Sequence, residues 1–339
     1  MIKIDKFHKF GKLTYVFSGS TVKKKTEARM RKVSLVVRKK NPLQQMKQCW
    51  KLYVLLLPTA LYFIIFSYLP MAGVQIAFKQ YTVSEGIWGS SWVGLKHFAR
   101  FMSSAQCGTL IVNTLKISIY SLLLSFPLQI VLAIALNEWR FLKMKKIVQS
   151  LTYAPHFIST VVLVSMVTLF LSPSNGVINR LIEMFGGEAH NFMGDTGAFR
   201  TIYIASGIWQ NCGWSAIIYI SALSGVDEQL HEAAKIDGPN RLQTIRHIDM
   251  RSILPTAITL FILNCGNVLS VGFEKMYLMQ NSMNLSVSEI ISTYTYKVGL
   301  LGAQYSYTAA IGLFNSVVNI IILVMVNTIA KKTSETSLF

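Results

Sequence analysis

Acidic residues are scarce in this 339-residue chain, 15 Asp and Glu against 33 Lys and Arg, and charges of both signs make up only 14%. Globular domains carry roughly 25% charged and about 45–50% apolar residues. Here 52% are hydrophobic and the mean hydropathy is +0.43, which argues against a soluble enzyme. Cysteine is sparse too. Cys49, Cys107, Cys212 and Cys265 stand far apart, with no CxxC and no Cys/His cluster, so neither a disulfide framework nor a zinc site is indicated. The six histidines make no HExxH or other metal-ligand spacing, no GxSxG elbow occurs, and no GxxxxGK[ST] loop is present to cradle phosphates. No catalytic site, no metal and no cofactor is therefore expected, and any ATP must be bound by another subunit.

What the chain has is long apolar runs, at residues 52–78, 108–136, 148–171, 199–223, 255–278 and 304–330. Each exceeds the roughly 20 residues a helix needs to span hydrocarbon. The expected fold is an all-α integral membrane protein with six transmembrane helices in a bundle, over 52–330. Pro58, Pro127 and Pro155 fall within or near the ends of spans, where neighbouring helices can cover a lost backbone hydrogen bond. Residues 1–51 form a basic tail with only Asp5 and Glu27 against it, and 331–339 form a short carboxyl tail with Lys331 and Lys332. Basic segments at 1–51, 137–147 and 331–332 alternate with basic-poor ones at 80–107, 172–198 and 279–303. The positive-inside rule then places both termini and the loops 137–147 and 223–254 in the cytoplasm. The net charge of +18 thus reads as orientation and contact with anionic membrane lipid rather than nucleic acid.

The loop 223–254 is different. Its acids and bases nearly balance, Asp227 to Lys235 are good helix formers with acids in the first turn, and Gly238-Pro239 ends that helix. Asn240 can start a second short helix with Leu242, Ile245 and Ile248 on one face. A solvated linker needs neither the small Ala233-Ala234 pair nor that apolar face, so a docking surface is favoured. The run Glu232-Ala233-Ala234-Lys235-Ile236-Asp237-Gly238, with Ile248 and Pro255 after it, resembles the EAA loop of permease subunits of bacterial ATP-binding-cassette importers. Met250-Arg251 stand where that family usually has Leu-Pro. Further stretches, PMAGVQIAFKQY (70–81), SWVGLKHF (91–98), SVGFEKMYLMQN (270–281) and YKVGLLGAQYSYTAAIGLFNS (296–316), resemble the branch serving oligosaccharides from complex polysaccharides. The resemblance implies six spans in the bacterial plasma membrane, a second permease subunit, two cytoplasmic ATPase subunits and an external solute-binding protein. It also implies that Glu232, Ala233, Ala234, Asp237 and Gly238 couple transport to the ATPases.

Two sets of span residues are candidates for the substrate pathway. Asn264, Asn267, Val271 and Glu274, separated by 3, 4 and 3 residues, would share one helix face. Their alternatives are helix-to-helix bonding by the amides and solvation of Glu274 at the outer end. Trp209, Gln210, Asn211 and Trp214 pair aromatic faces with amides, a combination suited to sugars, with interfacial anchoring as the alternative. Asn315 and Asn319, four apart, are read as packing residues. An ion channel or ion-coupled secondary transporter is the rival class. It calls for charges deep within several spans, and those are scarce here.

Overall fold

The computed structural model describes residues 49–333 and 337–338; the basic tail up to residue 48 lies outside the described residues. The chain divides into two compact units, Met1–Met71 and Ala72–Phe339. In the first, helix α1 (Trp50–Phe63) continues through a wide turn, Ile64–Tyr68, into Leu69–Met71. Not one α1 side chain is buried, an arrangement that water would penalise and hydrocarbon would not.

The second unit opens with a tight helical turn, Ala72–Phe78, and a two-stranded antiparallel pair, β1 (Lys79–Gln80) and β2 (Ser91–Trp92), with Lys79 opposite Trp92. Helix α2 (Lys96–Met102) leads into α3 (Ala105–Asn137), followed by α4 (Leu142–Tyr153), α5 (Thr160–Phe170), α6 (Val177–Met184) and α7 (Thr196–Ser224). The helices α8 (Glu228–Asp237) and α9 (Arg241–Thr244) form the 223–254 loop. Last come α10 (Met250–Cys265), α11 (Phe273–Met279) and α12 (Tyr305–Thr333). Among the described residues four helical runs are long and apolar enough to cross a membrane: Trp50–Phe78, Ala105–Asn137, Arg241–Cys265 and Tyr305–Thr333. Leu142–Phe157 and Thr160–Phe170, bent by 101°, make a fifth if counted as one span. Helix α7 is long enough at 29 residues, but Arg200, Gln210 and Asn211 dilute its apolar surface, so it is not among them.

Two of the expected continuous spans are broken. The run 148–171 bends because Pro155 has no N–H to give, Ile158 is extended (φ −75°, ψ 128°), and the Ser159 hydroxyl caps a new helix by accepting from the Val162 N–H. The run 255–278 stops at Cys265 and restarts at Phe273. Asn264, Asn267, Val271 and Glu274 therefore do not share one helix, a correction to the face drawn from their spacing. Within hydrocarbon, unsatisfied backbone groups are costly, so such breaks persist only where protein supplies the missing partners. Both breaks have them. Gln210 of α7 donates to the Ile158 carbonyl (2.9 Å). Asn319 of α12 accepts from the Leu269 N–H (3.0 Å) and donates to the Ser270 hydroxyl (3.0 Å), while Asn315 donates to the Leu269 carbonyl (3.3 Å). From the opposite side the Ser118 hydroxyl of α3 meets the Val268 carbonyl.

Small residues bring the helices together. Ala133 of α3 and Ala216 of α7 are wholly buried beside Tyr219, Leu223, Ile253 and Ala257, the close approach that alanine permits between membrane helices. At Gly213 a Cβ would overlap the Thr152 carbonyl, so only glycine lets the end of α4 lie on α7.

Candidate translocation cavity and coupling loop

A cavity of about 290 Å³ is built where α3, α7 and the interrupted fifth run meet. Helix α3 contributes Ser118, Ser121, Ser125 and Gln129, α7 contributes Tyr203, and the fifth run contributes Asn264, Asn267, Val271 and Gly272. The α3 residues recur at intervals of 3, 4 and 4, so they form one stripe along the helix. Sequence reading missed this stripe although its spacing was visible, because isolated serines are tolerated almost anywhere in a span. The lining therefore presents three hydroxyls from α3, that of Tyr203 and the amides of Gln129, Asn264 and Asn267. Such groups donate and accept at once and are suited to a hydroxyl-rich solute. Asn264, Asn267 and Val271 come together here despite the break in the helix. Glu274 does not: it lies on α11, exposed and away from the lining.

The α7 candidates form a second group. The imidazole of His156 stacks on Trp214, ring centroids 4.5 Å apart and 6° from parallel, and its Nδ1 lies 3.0 Å from Asn211 Oδ1. Asn211 also donates to the Gly207 carbonyl (3.1 Å). Trp209 and Trp214 remain 50% and 43% exposed, so neither is committed to the core of this chain. His156 was not among the expected site residues, and only its position at the bend of the third run brings it to Trp214.

The 223–254 loop folds as a capped helix pair. Asp227 caps α8 by accepting from the Gln229 N–H (3.0 Å), and Gly238 ends it in the left-handed region (φ 73°). Asn240 and Gln243 exchange side-chain bonds with each other's backbone N–H groups, 2.9 and 2.8 Å, forming a capping box at the start of α9. Two contacts tie the pair to the bundle. Arg241 donates from Nε to the Glu138 carboxylate and from a terminal nitrogen to the Glu138 carbonyl, both at 2.6 Å. His231 of α8 places Nε2 3.4 Å from Asp249, a carboxylate only 1% exposed. Glu232, Ala233, Asp237 and Gly238 face solvent with Ala234 half-buried, and Ile236 and Leu242 are left 86% and 75% exposed. Both apolar side chains thus stand open on a helix pair that is otherwise charged.

Apolar helices with interrupted spans, a hydroxyl-lined cavity between them and a capped helix pair displayed outside the bundle together define a membrane transport subunit rather than an enzyme. The chain belongs to the family described as binding-protein-dependent transport system inner membrane component, which matches residues 129–335. It is 44% identical over 288 residues to the polygalacturonan/rhamnogalacturonan transport system permease protein YteP of Bacillus subtilis (strain 168), covering 85% of this chain and 90% of that one. Protein LplB of the same organism is 43% identical, over 85% and 91%. A chain in the crystal structure of a bacterial alginate ABC transporter, in complex with its alginate pentasaccharide-bound periplasmic protein, superposes at a TM-score of 0.81. It is 38% identical, covering 88% of this chain and 100% of that one.

Proposed function

We propose that this permease moves oligosaccharides released from polysaccharides into the bacterial cytoplasm by alternating access. The cavity carries this reading, since its hydroxyls and amides, set beside Leu122, Phe126, Val268 and Val271, match a sugar, which offers many hydroxyls around a weakly apolar ring face. The transport roles for which YteP and the alginate transporter are named support it. At about 290 Å³ the cavity lies at the lower edge of the roughly 300–1,000 Å³ typical of ligand sites. A second permease subunit supplies the other wall. An external solute-binding protein delivers the sugar, and two cytoplasmic ATPase subunits bind the ATP, so the chain needs no cofactor of its own. In this reading both termini and the 223–254 loop lie in the cytoplasm, where Glu232, Ala233, Ala234, Asp237 and Gly238 with Ile236 and Leu242 form the ATPase-docking surface.

Thiol labelling tests the pathway. In the assembled importer, with Cys49, Cys107, Cys212 and Cys265 replaced by serine, Asn264→Cys and Asn267→Cys should react with a hydrophilic maleimide in a nucleotide-dependent way. Oligogalacturonides presented with the binding protein should protect them. Single Asn→Ala changes should weaken uptake about 2- to 10-fold, the value of one neutral hydrogen bond of about 0.5–1.5 kcal/mol. Labelling that is absent in every nucleotide state, with uptake unchanged, would reassign both asparagines to packing.

A further inference from the structure

A cation sits one ring away from the cavity and has no anion among the described residues. Lys275 of α11 donates from Nζ to the Tyr203 carbonyl (2.8 Å) and lies over the Tyr203 ring, 4.6 Å from its centroid; Tyr203 itself lines the cavity. The ion pairs formed among the described residues are His190–Asp195, His231–Asp249, Arg241–Glu138 and Lys297–Glu289, and none of them includes Lys275. The carboxylate next to it in the chain, Glu274, is exposed and outside ion-pair distance. One ammonium proton goes to the carbonyl, which leaves two without an acceptor among the described residues. A charge held within a membrane bundle is costly and marks a path or partner rather than packing.

Three features show that the place is built for it. Gly207 leaves the room the ammonium occupies, since a Cβ there would stand 3.1 Å from Nζ. Arg200, Tyr203, Gly207, Asn211 and Trp214 recur on α7 at intervals of 3, 4, 4 and 3, so the ammonium lies on one stripe with the cavity wall and the His156–Trp214 stack. One turn before Tyr203 on that stripe, Arg200 donates to Asn113 Oδ1 (2.9 Å) while its Nε is buried with no hydrogen-bond partner. A second cation without an ion pair among the described residues therefore lies on the same stripe of α7. A neutral sugar would need neither.

We propose that Lys275 is the counter-charge for a carboxylate on the passing solute, which makes the cargo an acidic, uronate-bearing oligosaccharide; this rests on the oligosaccharide reading above. The ammonium would leave the Tyr203 carbonyl for the sugar carboxylate while the Tyr203 ring stays beneath it, and Arg200 would hold the next acidic residue of the chain.

The test measures uptake by cells carrying the whole importer, with labelled trigalacturonate and with the same trisaccharide after reduction of its carboxyl groups to alcohols. Lys275→Gln should lower uptake of the acidic trimer at least tenfold and of the reduced trimer less than threefold. Lys275→Arg, which keeps the charge, should recover the acidic trimer to within about threefold, and yields of assembled complex should match the parent. The proposal is overturned if Lys275→Gln carries the acidic trimer at the parental rate. It is equally overturned if Lys275→Gln and Lys275→Arg lose uptake alike, which would make the lysine a packing element, or if the parent takes up only the reduced trimer. A parent that takes up neither trimer would instead sink the oligosaccharide reading itself.

Discussion

At the scale of single residues, the polar side chains in the spans divide by whether their bonds are already spent. Asn319 is spent, since both ends of its amide are bound to the broken fifth run. Asn319→Leu would leave the Leu269 N–H buried without an acceptor, a loss of about 1–3 kcal/mol. Thermal melting of the detergent-purified protein should therefore fall by several degrees, with a smaller fall for Asn315→Ala, whose bond is 3.3 Å long. An unchanged melting temperature for Asn319→Leu would show that the break holds itself. His97 gives a pH signature. Its ring is buried against the Lys79 carbonyl (3.1 Å), and burial holds its pKa below the ordinary value, opposed by that hydrogen bond and aided by Lys96 and Arg100. The folded state thus prefers the neutral ring. Stability from this site is complete above the unfolded value of about 6.5 and is lost as pH falls toward the lowered folded value. Amide protection at Val93 and Gly94, both donating to the Phe78 carbonyl, should weaken between pH 7 and 5 after correction for intrinsic exchange, and His97→Gln should flatten that dependence.

At the scale of elements, the 223–254 loop is the part most legible in the sequence. Gly238-Pro239 foretold the left-handed stop and Asn240 the second cap, because capping is local chemistry that needs no neighbours. The broken spans were not legible. Their partners, Ser118, Gln210, Asn315 and Asn319, come from distant helices, and a run such as 255–278 has the composition of an unbroken span. The serine stripe of α3 was legible in spacing yet carried no weight until three helices met around it. Gly238 offers a separable test of the loop. A Cβ there meets no atom within 4 Å, so Gly238→Ala costs only the left-handed backbone penalty, about 1–2 kcal/mol. Gly238→Trp adds bulk at the proposed docking face. ATP hydrolysis stimulated by the loaded binding protein should fall severalfold for tryptophan and little for alanine, with membrane insertion intact in both. Equal rates for parent and tryptophan variant would remove this glycine from the docking surface.

At the scale of the whole molecule, the apolar surface says as much as the core. Helix α1 buries none of its own side chains, and in the second unit Ser118, Gln210, Asn315 and Asn319 spend their bonds where helices are interrupted. The interruption between Cys265 and Phe273 has one more consequence, for how this protein can change over time. In an unbroken helix every inserted or deleted residue turns all that follows by about 100°, so a length change near the 223–254 loop would swing the far end out of alignment. The non-helical stretch absorbs that rotation. The half next to the loop can then shift its phase by a residue while Lys275 keeps its bearing on Tyr203, leaving the two ends of one span free to diverge separately.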